Sequence, residues 1–143
     1  MAAEPNGALV RRAIDEICNR GALETADALF APAYVNHGGL IPDLVRGPEA
    51  IKVSVALYRT AFPDLHVVVD TLVTDGETVV LRWTARNAPP GAWAGRVPAG
   101  QRGQVTGITR VHLVGGQIAE SWTRWDRAGA LVQLGILPPT EAV

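Results

Sequence analysis

Residues 104–126 read QVTGITRVHLVGGQIAESWTRWD. Two runs rich in β-branched and aromatic residues flank Gly115-Gly116. A Gly-Gly pair suits a two-residue hairpin, because both turn positions call for positive φ. Residues 65–87, LHVVVDTLVTDGETVVLRWTARN, repeat the theme around Asp75-Gly76. The two hairpins predict an antiparallel meander. The stretch between them, APPGAWAGRVPAGQRG, is a Gly/Pro-rich loop in which Trp93 is a candidate lid.

Upstream the period changes. Leu9, Ala13, Ile14 and Ile17 recur at helical spacing until Asn19-Arg20-Gly21. Leu23, Ala26, Leu29 and Phe30 share one face of a second short helix, stopped by Pro32. AYVNHGG reads as a short extended piece running into glycines. Gly47-Pro48-Glu49 opens a third helix with a stripe of Ile51, Val55, Tyr58 and Phe62. After the last strand, Arg127 to Leu134 predicts a short C-terminal helix. Helices first and a meander second predict an α+β domain, helices on one face of a curved sheet, enclosing a cone-shaped pocket.

Composition narrows the partners. The chain has 143 residues and a formal net charge of −1, the size of one domain spanning residues 1–143. No basic surplus is present to neutralise phosphates, so nucleic acid is not an expected partner. No apolar run reaches the ~18–20 residues that span a bilayer. The N-terminus lacks a charged segment followed by an apolar one, so a cytoplasmic location is expected. Lys52 is the single lysine against twelve arginines, the habit of a GC-rich bacterial genome. Cys18 is the sole cysteine and falls on an apolar helical position, where core packing is its expected role.

Phosphate loops, a Rossmann glycine pattern and a nucleophile elbow are absent from the sequence. His37, His66 and His112 lie far apart without paired metal-ligand spacing, so nothing in the sequence proposes a metal site. Acid/base chemistry remains. Counting outward from a two-residue Gly115-Gly116 loop puts Ile118, Glu120, Trp122, Arg124 and Asp126 on one face, opposite Leu113, Val111, Thr109, Gly107 and Val105. The apolar partners make this the inward face. Two roles are open to Asp126. Before a helix it is a favoured N-cap; beside Trp122 in a desolvated pocket it is an acid/base of raised pKa. The count places His112 opposite Ala119, on the other face, unless a β-bulge or bend intervenes. His37, in VNHGG, sits where glycines admit a ligand or simply turn the chain. Trp83 and Trp122 read as core or pocket wall. The outer face, carrying Ser121, Thr123, Arg110 and Ile108, suits a subunit contact.

The three helices, YVNHGG, GPEAI, AFPDLHV, the Gly/Pro loop and VGGQIAESWTRWDRAGALVQLGIL together resemble the SnoaL-like polyketide cyclases, or ester cyclases, of the nuclear-transport-factor-2-like superfamily. The resemblance covers nearly the whole chain. It implies a cone-shaped α+β barrel, assembled as a homodimer or homotetramer. It implies closure of a ring in a polycyclic aromatic polyketide ester by intramolecular aldol condensation, without metal or cofactor. Asp126 matches the family's acid/base, and His37 and His112 match histidines that line its pocket. Asn36, Trp83, Asn87 and Trp122 are the candidate substrate contacts. Many relatives carry a histidine in a T-x-H-x-G pattern where WTARNAPPG has Asn87, which hydrogen-bonds but does not titrate. Some relatives serve instead in anthracycline hydroxylation, and a non-catalytic small-molecule-binding module on the same fold, with Asp126 as a cap, is the remaining alternative.

Overall fold

The computed structural model describes residues 5–38, 45–61, 65–86 and 104–125. Helix α1 (Asn6–Ala13) continues without a break into a π-helical segment, Ile14–Asn19. A short 3-10 turn leads into α2 (Ala26–Leu29), and the strand β1 (Phe30–His37) follows at once. After α3 (Pro48–Ala61) come β2 (His66–Asp75), β3 (Thr78–Arg86), β4 (Gln104–Val114) and β5 (Gln117–Trp125). The segment proposed as a C-terminal helix, the Gly/Pro loop with Trp93, and residues Asn87 and Asp126 lie outside the described residues.

The sheet order is β1-β5-β4-β3-β2. Both anticipated hairpins are present, with Asp75 opposite Thr78 and Val114 opposite Gln117. Gly115 and Gly116 take φ of 57° and 79°, the paired positive values of a primed turn. Strand β1 joins the far edge parallel to β5, which makes the sheet mixed.

One boundary differs from the sequence reading. Phe30 and Pro32 belong to β1, not to the end of a helix or its stop. An edge strand has one side free of ladder bonds, so a residue without an N–H is tolerated there. The register of β1 on β5 also shifts between Phe30 and Val35, around that proline.

Helices pack on one face of the sheet. Leu9, Val10, Ala13 and Ile17 from the first helical run meet Val79, Leu81, Val111, Leu113 and Ile118 from the strands, with Tyr34 and Val55 closing the core. Polar ties hold the end of the π-helical segment. The Asn19 amide acts as a strand neighbour, donating to the Val67 carbonyl at 2.9 Å and accepting from the Val67 N–H at 2.6 Å. Arg59 from α3 donates to the Cys18 and Asn19 carbonyls, satisfying acceptors left over at a helix end.

Two bulges reset which side chains face the helices. On β2, Val69 is opposite Trp83 and Thr71 is opposite Arg82, so Asp70 is the extra residue. On β5, Ile118 is opposite Leu113 but Glu120 is opposite His112, so Ala119 is extra. A single inserted residue turns every later side chain to the other face, because the strand period is two.

Candidate functional site

All five strands, α1 with its π-helical continuation, and α3 line one cavity of about 220 Å³. Most of its wall is apolar: Val10, Ile17, Phe30, Ile51, Leu81 and Val111 are among the lining residues. Besides Ser54 and Arg86, two small groups of hydrogen-bonded polar side chains stand on its wall.

The first group sits between β1 and β5. Tyr34 is 2% exposed. Its hydroxyl lies 2.6 Å from Ser121 Oγ, and Ser121 Oγ donates to Asn36 Oδ1 at 3.2 Å. Burial holds the Tyr34 phenol well above its ordinary pKa, partly offset by the Ser121 contact. The second group crosses β3, β4 and β5. Trp83 Nε1 donates to Thr109 Oγ1 at 2.9 Å, and Thr109 Oγ1 is 2.9 Å from Thr123 Oγ1.

Gly107 explains how an indole fits there. It is the β4 neighbour of Trp83 on one side and Trp125 on the other. A Cβ on Gly107 would come within 2.8 Å of Trp83 Cε2 and closer still to Cζ2. The missing side chain lets the indole lie across β4 and present a ring to the cavity. Trp125 also lines it; its Nε1 donates to the Gly38 carbonyl at 2.7 Å, and Tyr58 packs edge-on at 6.1 Å. Gly38, at φ 92°, presses its backbone against the Thr123 carbonyl. That glycine of VNHGG therefore brings the chain close to β5.

Asn36 and Trp83 line the cavity. The bulge at Ala119 corrects the face assigned to β5. Ser121, Thr123 and Trp125 line the cavity, whereas Glu120, Trp122 and Arg124 pair with His112, Arg110 and Ile108 on the opposite face. Trp122 is thus not a pocket wall, and Ser121 and Thr123 are not an outer surface. The run after Ile118, AESWTRW, has no apolar alternation to reveal the flip.

The histidines follow from the same flip. His37 alternates outward from Asn36, and its Nε2 meets Glu120 Oε2 at 2.6 Å. Its ring stacks on Trp122 at 5.5 Å, with the Arg110 guanidinium over Trp122 at 4.2 Å. His112 stands opposite Glu120. Neither histidine lines the cavity, contrary to what the resemblance implied for both. Tyr34, Tyr58, Thr109, Ser121, Thr123 and Trp125 are lining residues that the sequence reading had not put in a site.

Among the described residues, no group of three or more His, Cys, Asp or Glu is arranged to hold a metal ion. No described helix is long and apolar enough to cross a membrane.

The model of the SnoaL-like polyketide cyclases matches residues 8–134. The chain belongs to that family. This SnoaL-like chain is 28% identical to IdmH, a candidate polyketide cyclase from Streptomyces antibioticus, over 92% of its own length and 99% of IdmH, with a TM-score of 0.74. It is 26% identical to AclR, a candidate hydroxylase from Streptomyces galilaeus, covering 96% of this chain and 100% of AclR at a TM-score of 0.70. It is also 26% identical to TsrD from Streptomyces laurentii, over 95% and 100% of the two chains, TM-score 0.71. No curated protein matches the SnoaL-like chain significantly.

Proposed function

We propose that this SnoaL-like chain closes a ring of a polycyclic aromatic polyketide ester by cofactor-free intramolecular aldol condensation. The observation that carries the reading is an apolar, aromatic-walled cavity with an amide on its wall, in a chain of the cyclase family. Trp83, Trp125 and Tyr58 offer ring surfaces against which a flat polycycle stacks. Asp126, one residue beyond the lining residue Trp125, is the acid/base that takes the proton from carbon activated by neighbouring carbonyls. The enolate carbon attacks the electrophilic carbonyl, and Asp126 returns its proton to the new alkoxide. Asn36 supplies N–H donors to the enolate oxygen, where charge develops. Asn87 is a second donor in this scheme. His37 and His112 have no part in it, because they stand on the other face of the sheet.

The test is turnover of an anthracycline-type polyketide ester. Asp126→Asn is expected to lose several orders of magnitude in kcat with unchanged unfolding. Near-normal turnover with stability lowered by about 1 kcal/mol would assign Asp126 to helix capping instead. The likeness to AclR supports one alternative, hydroxylation of the same class of substrate; product formation that requires oxygen and a reductase would establish it.

We also propose that the chain self-associates through the outer sheet face. Ile108 and Val80 there are 53% and 39% exposed, beside Arg110 and Trp122. Light scattering is expected to give a dimer or tetramer, and a monomer at micromolar concentration would refute this.

A further inference from the structure

The Asn36 amide has two chemically opposite ends, and which end meets the cavity decides what the cavity selects. The neighbouring hydroxyls settle the matter by counting hydrogens. Tyr34 and Ser121 each carry one hydroxyl hydrogen, and the contacts run Tyr34 Oη to Ser121 Oγ at 2.6 Å and Ser121 Oγ to Asn36 at 3.2 Å. With Oδ1 toward Ser121, Tyr34 donates to Ser121 and Ser121 donates to Asn36, so both hydrogens have acceptors. With Nδ2 toward Ser121, three donors share two contacts. One hydroxyl hydrogen then has no acceptor among these groups, an arrangement that buried polar groups disfavour. The Phe30 and Tyr34 rings pack edge to face with centroids 4.7 Å apart, which holds the phenol ring in place. Among the described residues, Asn36 Nδ2 donates to no protein atom.

We propose that Tyr34 and Ser121 are positioning residues that turn the Asn36 N–H bonds into the cavity, making this wall selective for an acceptor oxygen, a ketone or enolate. The inference rests on the reading of the cavity as the site for a flat, carbonyl-bearing substrate. It goes further by naming the group recognised and the two hydroxyls that set the direction of recognition.

A matched pair of probes isolates the effect without turnover. Anthraquinone-2-sulfonate and anthracene-2-sulfonate share size, flatness and charge, and differ in two ketone oxygens. By titration calorimetry the wild-type protein is expected to prefer the quinone by about tenfold, the upper range for one hydrogen bond. Ser121→Ala frees the amide to rotate, and the preference is expected to fall to about twofold while anthracene-2-sulfonate affinity stays within twofold. Tyr34→Phe is expected to move in the same direction, and Ser121→Thr, which keeps the hydroxyl, to retain the preference. A parallel loss of affinity for both probes would mean a structural role and overturn the proposal. So would an unchanged quinone preference in Ser121→Ala and Tyr34→Phe, or equal binding of the two probes by the wild-type protein. Wild-type protein that binds neither probe would overturn the cavity reading underneath it as well.

Discussion

Adding one methyl group at Gly107 tests whether the sheet is built around the Trp83 indole. Gly107 does not have a positive φ, so alanine brings no backbone strain of the left-handed kind. The whole effect must come from contact. The new Cβ would stand within 2.8 Å of Trp83 Cε2, where carbon pairs settle at about 3.5–4.0 Å. Gly107 is held by ladders to both β3 and β5, so the backbone has no direction in which to withdraw. The indole must shift by roughly 1 Å, the difference between those contact distances. Its Nε1 then leaves Thr109 Oγ1, now at 2.9 Å. Overpacking costs about 1–3 kcal/mol, and the lost hydrogen bond about 0.5–1.5 kcal/mol. Replacing a strand glycine by alanine returns about 0.5–1 kcal/mol. The net expectation for Gly107→Ala is a loss of about 0.5–4 kcal/mol, centred near 2 kcal/mol, the difference of those terms. Urea unfolding followed by tryptophan emission measures it, and near-UV circular dichroism reports the indole. Adding Trp83→Phe, which shortens the ring, should recover part of the loss as a coupling energy. A Gly107→Ala protein as stable as wild type, with an unchanged near-UV spectrum, would refute the reasoning.

Two further outcomes are expected. Replacing His37 or His112 by alanine should leave anthraquinone-2-sulfonate affinity within about twofold, because both rings stand on the opposite face of the sheet and touch no ligand in the cavity; a tenfold loss by calorimetry would return a histidine to the site. Cys18 lines the cavity, and burial pushes its thiol up to about 12, with Arg59 pulling weakly the other way. The neutral thiol is the form favoured by folding, so its contribution to stability is full below the unfolded thiol's pKa and is lost as pH rises from there toward 12. Iodoacetamide at pH 8 should therefore alkylate the native protein far more slowly than the urea-unfolded chain, and equal rates would refute the assignment.

The alternation of LHVVVDTLV and TVVLRW, with the two turn dipeptides, specifies the hairpins locally, because strand period and turn φ are properties of neighbouring residues. The helical stripes are legible for the same reason. Phe30 and Pro32 are not legible as strand residues because membership of an edge strand depends on which strand lies beside them, here β5, about ninety residues away. Asn36, near the end of β1, and Trp83, within β3, could be named as polar and aromatic candidates. Their neighbours Ser121, Thr123 and Trp125 could not, because one extra residue at Ala119 inverts the faces of everything after it.

The sequence by itself thus determined the two hairpins, the helical stripes ahead of them, the helix-on-sheet layering and the family to which the ending SWTRWDRAGALVQLGIL points. Each follows from periodicity, turn chemistry or motif, which are encoded within a few residues of one another. Only the tertiary structure decided which side chains enter the cavity. It turned His37 and His112 outward, brought Tyr34, Ser121 and Asn36 into one chain of hydrogen bonds, and laid Trp83 over Gly107. Those outcomes depend on strand register, and register is set by packing between residues far apart in the chain, where a slip of one position exchanges the inside of a sheet for its outside.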